Sequence, residues 1–216
     1  MAKQAYVYSG TDWVPLASEV TNLSTYYTSA QVDALPTGLK LIVPTSVAVG
    51  SGTGTVGTTG TVTFTGASSV SLNGVFSSTY DNYKIIINNL SISTSSQSVF
   101  IRLRNAGTDL STATYNYGGV GVTTTTTTVA AISSNSAGDN EVFATTADTT
   151  IKSNLELETY YPYVAQPTSF YIRGTRNGFG DSISGYNTTA SSYDSITIYP
   201  AANNITGTIR VYGYKN

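Results

Sequence analysis

The spacing of two glutamates, Glu156 and Glu158, fits a catalytic pattern. They lie in "SNLELETY", which alternates polar and apolar residues as a strand does. On one face of a strand they would be about 6.5 Å apart, and the two carboxyl groups of glycosidases are about 5 to 9.5 Å apart. Leu155 and Leu157 take the opposite face. We therefore interpret the glutamates as the solvent face of a strand whose leucines enter the core, and we predict no catalytic residue.

Metal, phosphate and thiol chemistry lack their usual sequence patterns. Asp139, Glu141 and Asp148 could gather oxygen ligands, but the spacing of acidic residues in a calcium loop is missing. The glycine-rich stretches are not followed by a lysine with serine or threonine, as a phosphate-binding loop requires. Cysteine and histidine are absent, which excludes disulfides, thiolate nucleophiles and histidine-based triads. No metal site and no cofactor is predicted.

Tyrosine is the better prospect, because binding needs only its ring and hydroxyl. The chain has 17 tyrosines against six phenylalanines and one tryptophan. Their flat amphipathic faces suit saccharide or protein surfaces. Six of them are candidates for contact with a receptor: Tyr115, Tyr117, Tyr160, Tyr161, Tyr163 and Tyr186. The alternative is that most of these tyrosines pack in the core or between subunits.

Composition limits the partners of the chain. Charged residues make up 10% of the 216 residues and the net charge is −2. The scattered basic residues argue against a sequence-independent grip on nucleic acid. No apolar run is long enough to span a membrane and no secretory signal is evident, so we expect synthesis and assembly in a cytoplasm.

The chain from Thr61 onward repeats β signals. Stretches such as "YKIIINNLSIS", "SVFIRLRN" and "TGTIRVYGY" are separated by Asn, Gly, Ser, Asp and Pro at spacings of about 8 to 15 residues. This pattern predicts an all-β domain over 61–216, a jelly-roll-like antiparallel β-sandwich of roughly eight or nine strands. The uncharged region between Asp109 and Asp139 is interpreted as a long edge strand with surface loops, or alternatively as a ligand-facing loop.

Residues 1–60 form a predicted segment for assembly and attachment. "AYVYSGTDWVPLAS" reads as a short hairpin, and Ala30 to Leu35 as one short helix ended by Pro36. The glycine- and threonine-rich stretch 51–60 is interpreted as a soft boundary. Neither a lone hairpin nor so short a helix is stable by itself, so both should pack on other copies or other proteins. The candidate assembly residues are Tyr6, Tyr8, Trp13, Leu16, Leu23, Tyr27, Val32 and Leu35.

Three stretches carry a resemblance to a known family. "VTFTGASSVSLNGVFSSTYDNYKIIINNLS", "IRLRNAGTD" and "YDSITIYPAANNITGTIRVYGYKN" resemble, in this order, tailed-bacteriophage virion proteins of the minor tail, tail-fibre or head-decoration type. The ending "ITGTIRVYGYKN" is the most specific part. "AYVYSGTDWVPLAS" and "LSTYYTSAQVDAL" are similar to short modules of phage fibre proteins that build trimeric stems.

The resemblance implies a non-enzymatic virion protein. It implies a homotrimer, a tail fibre or spike on the particle surface, whose β-sandwich points outward toward a host glycan or protein. Only one "YYTSAQVDAL" module is present, which favours a short projection over an extended shaft. The alternative is a capsid decoration protein or head fibre that stabilises the shell, and a third hypothesis is a polysaccharide-binding or polysaccharide-degrading enzyme. The implied partners are further copies and other virion proteins, with no nucleic acid and no membrane insertion.

Overall fold

A computed structural model describes residues 6–8, 10–15, 38–94, 97–123, 126, 128–145, 152–176 and 178–215. Every regular element in these ranges is a β-strand, which confirms the all-β prediction. The short helix predicted from Ala30 to Leu35 lies outside the described residues. Within the described ranges, no helix is long and apolar enough to cross a membrane. The chain divides into two compact units, Met1–Thr37 and Gly38–Asn216.

The strands, in chain order, are β1 (Tyr6–Tyr8), β2 (Trp13–Pro15), β3 (Lys40–Ile42), β4 (Ser46–Val49), β5 (Thr53–Val56), β6 (Val62–Ala67), β7 (Val70–Asn73), β8 (Asn82–Ile92), β9 (Gln97–Asn105), β10 (Thr108–Asp109), β11 (Tyr115–Thr123), β12 (Val129–Ala137), β13 (Asn140–Thr145), β14 (Ser153–Tyr160), β15 (Gln166–Arg176), β16 (Phe179–Ser191), β17 (Ser195–Pro200) and β18 (Ile205–Tyr214).

The first unit contains the predicted hairpin. Strands β1 and β2 pair antiparallel, with Tyr8 opposite Trp13 across the turn. Gly10 lies in that turn with φ 97°, in the left-handed region that glycine adopts without strain. The two strands form a sheet of their own.

The second unit is an antiparallel sandwich of two sheets. The small sheet has the order β10-β9-β17-β7-β4, with β13 also paired to β9. The large sheet has the order β12-β11-β16-β15-β14-β8-β18-β6-β5, with β3 also paired to β18. Strand β12 ends the large sheet, so the predicted long edge strand is present in the uncharged region.

Residues 38–60 belong to this sandwich. Strand β3 pairs with β18, β4 with β7, and β5 with β6. Residues 38–60 therefore supply strands to both sheets, and the glycine- and threonine-rich stretch 51–60 contains β5 of the large sheet. The boundary between the units falls after Thr37, not at residue 60 as the sequence predicted.

Alternation of apolar and polar residues sends one face of each sheet into a common core. In β14, Leu155 and Leu157 are buried while Glu156 and Glu158 lie on the other face, as the sequence predicted. Ile85 and Ile87 of β8 and Ile196 and Ile198 of β17 are fully buried, and they come from opposite sheets. This burial is the main source of stability, since each such side chain contributes about 1.5–3 kcal/mol.

A β-bulge keeps β8 facing the core along its whole length. The pairing of β8 with β18 shifts register between Asn88 and Ser91, and Asn89 has φ 55°. One extra residue reverses the alternation, so that Ile87 and Leu90, three positions apart, are both buried. Asparagine tolerates this left-handed conformation better than most residues.

Neighbouring glycines in β11 have opposite surroundings. A Cβ at Gly119 would lie 2.1 Å from the Ser182 carbonyl oxygen and 2.7 Å from Ile183 Cα, because β16 approaches closely on the inner side. A Cβ at Gly118 would meet only the Ile132 carbonyl oxygen, at 3.9 Å, because this position faces outward. Glycine is thus required at 119 and dispensable at 118.

We expect Gly119→Ala to destabilise the fold and Gly118→Ala to leave it unchanged or slightly stabilised. The added methyl group at 119 overlaps backbone, and overpacking of this kind costs about 1–3 kcal/mol. At 118 it replaces a residue that weakens a strand interior by about 0.5–1 kcal/mol relative to alanine. Urea unfolding of the two variants measures the difference. Equal stabilities would contradict the described approach of β11 to β16.

Candidate functional site

The outer face of the large sheet carries the candidate site. We define the outer face as the side turned away from the core, and it holds the polar residues that alternate with the buried ones. Its middle is an ionic cluster on β8, β14 and β15, composed of Lys84, Glu156, Glu158 and Arg173. The part of the outer face toward β12 contains a groove whose described lining is uncharged.

Lys84 is the centre of the ionic cluster. Its Nζ lies 2.6 Å from Glu156 Oε1 and 3.1 Å from Glu158 Oε1. Arg173 contacts Glu156 at 3.5 Å, and its guanidinium lies 5.2 Å from the centre of the Tyr171 ring. Tyr160 donates a hydrogen bond of 2.8 Å to Glu158 Oε2. Both carboxylates therefore share one cation that β8 brings between them.

The pKa values in the cluster indicate that Glu158 stays ionised. Burial acts to raise the pKa of Glu158, but the hydrogen bonds from Tyr160 and Lys84 outweigh it and the pKa is lowered. The pKa of Lys84 is raised, chiefly by its hydrogen bond to Glu156. Burial and the bond to Glu158 raise the pKa of Tyr160 to about 12.

This arrangement differs from a glycosidase pair. A glycosidase needs one carboxylic acid whose raised pKa keeps it protonated as the proton donor. Glu158 has the opposite shift, and the oxygens of both glutamates are bound to Lys84. The pair that the sequence placed on one face is therefore an ion-paired element of the sheet surface.

The β11–β16 groove lies on the outer face across β12, β11, β16 and β15. It has a volume of about 550 Å³. Its lining includes Asn116, Gly118, Asn135, Ser169, Ser184 and Tyr186. Gly118 and Ser184 are direct partners in the ladder between β11 and β16, so two small residues meet there. Asn116 and Tyr186 are the next outward-facing pair and rise beside them.

Five of the six candidate tyrosines lie in three environments. Tyr117 and Tyr186 both border the groove, although the ring of Tyr117 also packs against the core. Tyr160 belongs to the ionic cluster. Tyr161 and Tyr163 are exposed in the turn between β14 and β15.

Tyr115 is a correction to the sequence-based set. It lies in β11 with 0% exposure, and its ring stacks with that of Phe170 at 6.4 Å between centroids. Its hydroxyl accepts a 2.8 Å hydrogen bond from the Leu103 backbone N–H of the small sheet. Burial raises the pKa of Tyr115. This tyrosine ties the two sheets together and offers no surface for a partner.

A second polar cluster lies on the outer face of the small sheet. Arg104 pairs with Asp109 at 2.6 Å, and Thr197 donates a 2.7 Å hydrogen bond to the same carboxylate oxygen. Nearby, Asp139 contacts Arg102 at 3.4 Å and accepts a hydrogen bond from Tyr199. Each arginine pairs with one aspartate, so the positive and negative charges of this cluster cancel.

The structure gives no sign of a metal site in the described ranges. No group of three Asp or Glu side chains there could hold an ion. Of the acidic residues considered from the sequence, Asp139 is bound by Arg102 and Tyr199. The Glu141 side chain and Asp148 lie outside the described atoms.

The candidate assembly residues are described only in part. Tyr8 and Trp13 are 54% and 70% exposed, with ring centroids 5.3 Å apart. Tyr6 lies in β1. The others, Leu16, Leu23, Tyr27, Val32 and Leu35, fall outside the described residues.

No protein-family model matches the chain and no curated protein matches it.

Sequence reasoning missed the residues that complete each site. Lys84 and Arg173 are single basic residues on strands, and nothing in one sequence says which strands lie beside β14. Gly118, Ser184 and Asn135 likewise meet only through strand pairing. Alternation along each strand predicts that Gly118 and Tyr186 face outward. It does not predict that they lie close together, because that depends on the pairing register of the two strands.

We expect Lys84→Met to lower stability by on the order of 1–2 kcal/mol at neutral pH, between the effects seen for exposed and buried ion pairs. The lowered pKa of Glu158 contributes stability above its usual value near 4.5, and this is lost as pH falls through the folded-state value. The variant should therefore lose less stability than the unmodified chain on acidification. Denaturant unfolding between pH 7 and pH 3 measures both effects, with Lys40→Met as the matched strand-lysine control. An identical pH dependence in Lys84→Met would refute the assigned role.

Proposed function

We propose that this chain is a structural protein of a tailed-phage virion, a trimeric tail fibre or spike whose β-sandwich contacts the host surface. The resemblance of its motifs to such proteins motivates the proposal. The all-β sandwich is compatible with it, and its strand order is proposed to be a jelly-roll variant. The "ITGTIRVYGY" stretch forms β18, which pairs with β8, β6 and β3 inside the large sheet.

The observation that carries the assembly role is the exposed aromatic pair of the N-terminal hairpin. Tyr8 and Trp13 lie side by side and expose more than half of their surfaces. An isolated two-stranded hairpin is marginal in water, and aromatic side chains are enriched where proteins associate. Burial of this pair between copies, or against another virion protein, supplies the missing stabilisation. The partners are therefore further copies of the chain and proteins of the particle.

Two alternatives remain distinct from the fibre. In a capsid decoration protein or head fibre, the same trimer sits on the head and stabilises the shell. The low charge content of 10% suits either tightly assembled particle. An enzyme that degrades polysaccharide is the third, and the ion-paired state of Glu156 and Glu158 disfavours it. Polysaccharide cleavage that disappears in Glu156→Gln would establish that enzyme.

We expect the purified chain to sediment at three times its 22.7 kDa mass. Trp13→Ala should shift this equilibrium toward the monomer by on the order of tenfold or more, because a buried aromatic anchor contributes at least about 2 kcal/mol to an interface. Tyr163→Ala is the matched control, since it removes an exposed aromatic ring from the second unit. Analytical ultracentrifugation at micromolar concentration measures the change. A chain that stays monomeric without any substitution contradicts the trimer.

Particle location is tested on purified virus. Gold-labelled antibody against the β-sandwich is expected at the tail tip. Labelling on the head would select the decoration protein, and absence from the particles would refute both virion roles.

A further inference from the structure

We infer that the β11–β16 groove is a binding site for an uncharged oligosaccharide. The inference rests on the proposed contact with the host surface and names the chemistry of that contact. It is carried by the groove's shape, its lack of charge and one exposed aromatic ring.

The shape of the groove suits a small extended ligand. Its volume of about 550 Å³ lies within the range of about 300–1,000 Å³ that is typical of small-molecule sites. The ladder between β11 and β16 places Gly118 opposite Ser184, so no large side chain rises from this part of the sheet. The sandwich core lies directly beneath and holds the floor rigid, which lowers the entropy lost on binding.

The wall of the groove supplies an aromatic platform. Tyr186 is 49% exposed and stands on the outward-facing side of β16. A tyrosine ring offers a flat apolar face to the C–H face of a sugar, and its hydroxyl can bond a sugar hydroxyl. Beside it, Ser184 of the same strand and Ser169 of the adjacent strand β15 present exposed hydroxyls, and Asn135 of β12 presents an exposed amide. Hydroxyls and amides both donate and accept hydrogen bonds, which matches the hydroxyls of a saccharide.

Charge decides between classes of ligand. All the described residues that line the groove are uncharged. On the same sheet face, Lys84 of β8 and Arg173 of β15 are engaged with Glu156 and lie outside the lining. Arg210 of β18 donates a hydrogen bond to Thr61 and also lies outside the lining. An anionic ligand such as a phosphate or an acidic polysaccharide would find no cation in the groove to replace its hydration. A neutral saccharide needs no cation in the groove.

A protein partner fits less well. Protein interfaces are held by a desolvated core of apolar and aromatic anchors. This groove offers one exposed aromatic ring, that of Tyr186, among serine, asparagine and glycine residues. Its volume of about 550 Å³ suits a small ligand rather than a protein surface. We therefore assign it to a saccharide and treat protein binding as an outcome of the test.

Two glycines on the outer face provide a matched pair of blocking variants. A Cβ at Gly118 meets nothing nearer than 3.9 Å, and a Cβ at Gly180 meets nothing within 4 Å. Both positions therefore accept a side chain without disturbing the backbone. Gly118 lines the groove and Gly180 does not. Gly118→Leu fills the groove, while Gly180→Leu adds the same side chain elsewhere on the face.

The experiment measures binding of the full-length chain to defined polysaccharides by affinity electrophoresis, with dextran, mannan and amylose as neutral probes and alginate as the acidic probe. We expect retardation by at least one neutral probe and none by alginate. Gly118→Leu and Tyr186→Ala should each weaken that binding by about tenfold or more, the scale of one lost aromatic contact or of a blocked site. Gly180→Leu should stay within about twofold of the unmodified chain. Thermal unfolding of each variant confirms that the fold is retained.

Every other result overturns the inference. Retardation by none of the neutral probes, preference for alginate, or neutral binding that survives Gly118→Leu would each remove the groove as a saccharide site. Binding to host cells that resists periodate oxidation of their glycans would assign the contact to a protein instead. The outcome is separable from the virion role, because particle labelling and sedimentation do not depend on saccharide binding. A chain found on the particle without saccharide binding refutes only the groove.

Discussion

The inner faces of two antiparallel sheets bury each other, and the rest of the second unit is arranged around this contact. Isoleucine, leucine and valine alternate with polar residues along β8, β14, β17 and β18, so each strand sends one row of side chains inward. Where the alternation would fail, the bulge at Asn89 restores it. The buried hydroxyl of Tyr115 accepts a hydrogen bond from the backbone of the opposite sheet and so adds a polar contact between the sheets.

Charged side chains of the strands are accommodated mainly on the faces turned away from the core, while Asp181 of β16 is buried. The ionic cluster around Lys84 accommodates charges on the large sheet, and the two arginine–aspartate pairs do so on the small sheet. Both clusters are partly shielded by tyrosine rings, which lie beside the arginines at 5.2 Å and 4.7 Å from ring centre to guanidinium. The described lining of the groove carries hydroxyl, amide and aromatic groups and no charge. That is why a neutral ligand suits the groove and an anionic one does not.

The alternation of inward-facing and outward-facing residues in β11 connects the packing of the core with the proposed binding groove. Gly119 faces the core, where β16 comes too close for any side chain, and Gly118 faces outward, where the absence of a side chain opens the groove. One residue serves packing and its neighbour leaves room for a ligand. On the N-terminal hairpin, Tyr8 and Trp13 are exposed, and the proposed role of this pair is association.

The sequence by itself determined the class of fold, because alternation such as that of "NLELETY" depends only on the chain's own period of two. It also determined which side of β14 the glutamates occupy and that the hairpin of β1 and β2 forms. It did not determine the partners of those residues. Lys84 reaches Glu156 and Glu158 across 72 and 74 positions only because β8 lies beside β14 in a set register, and no local pattern encodes that pairing. The same reason applies to Tyr115, which was grouped with surface tyrosines and proved to be core, and to the stretch 51–60, whose strand is recognisable only beside β6. Tertiary structure decided the sites because strand order and register bring distant residues together.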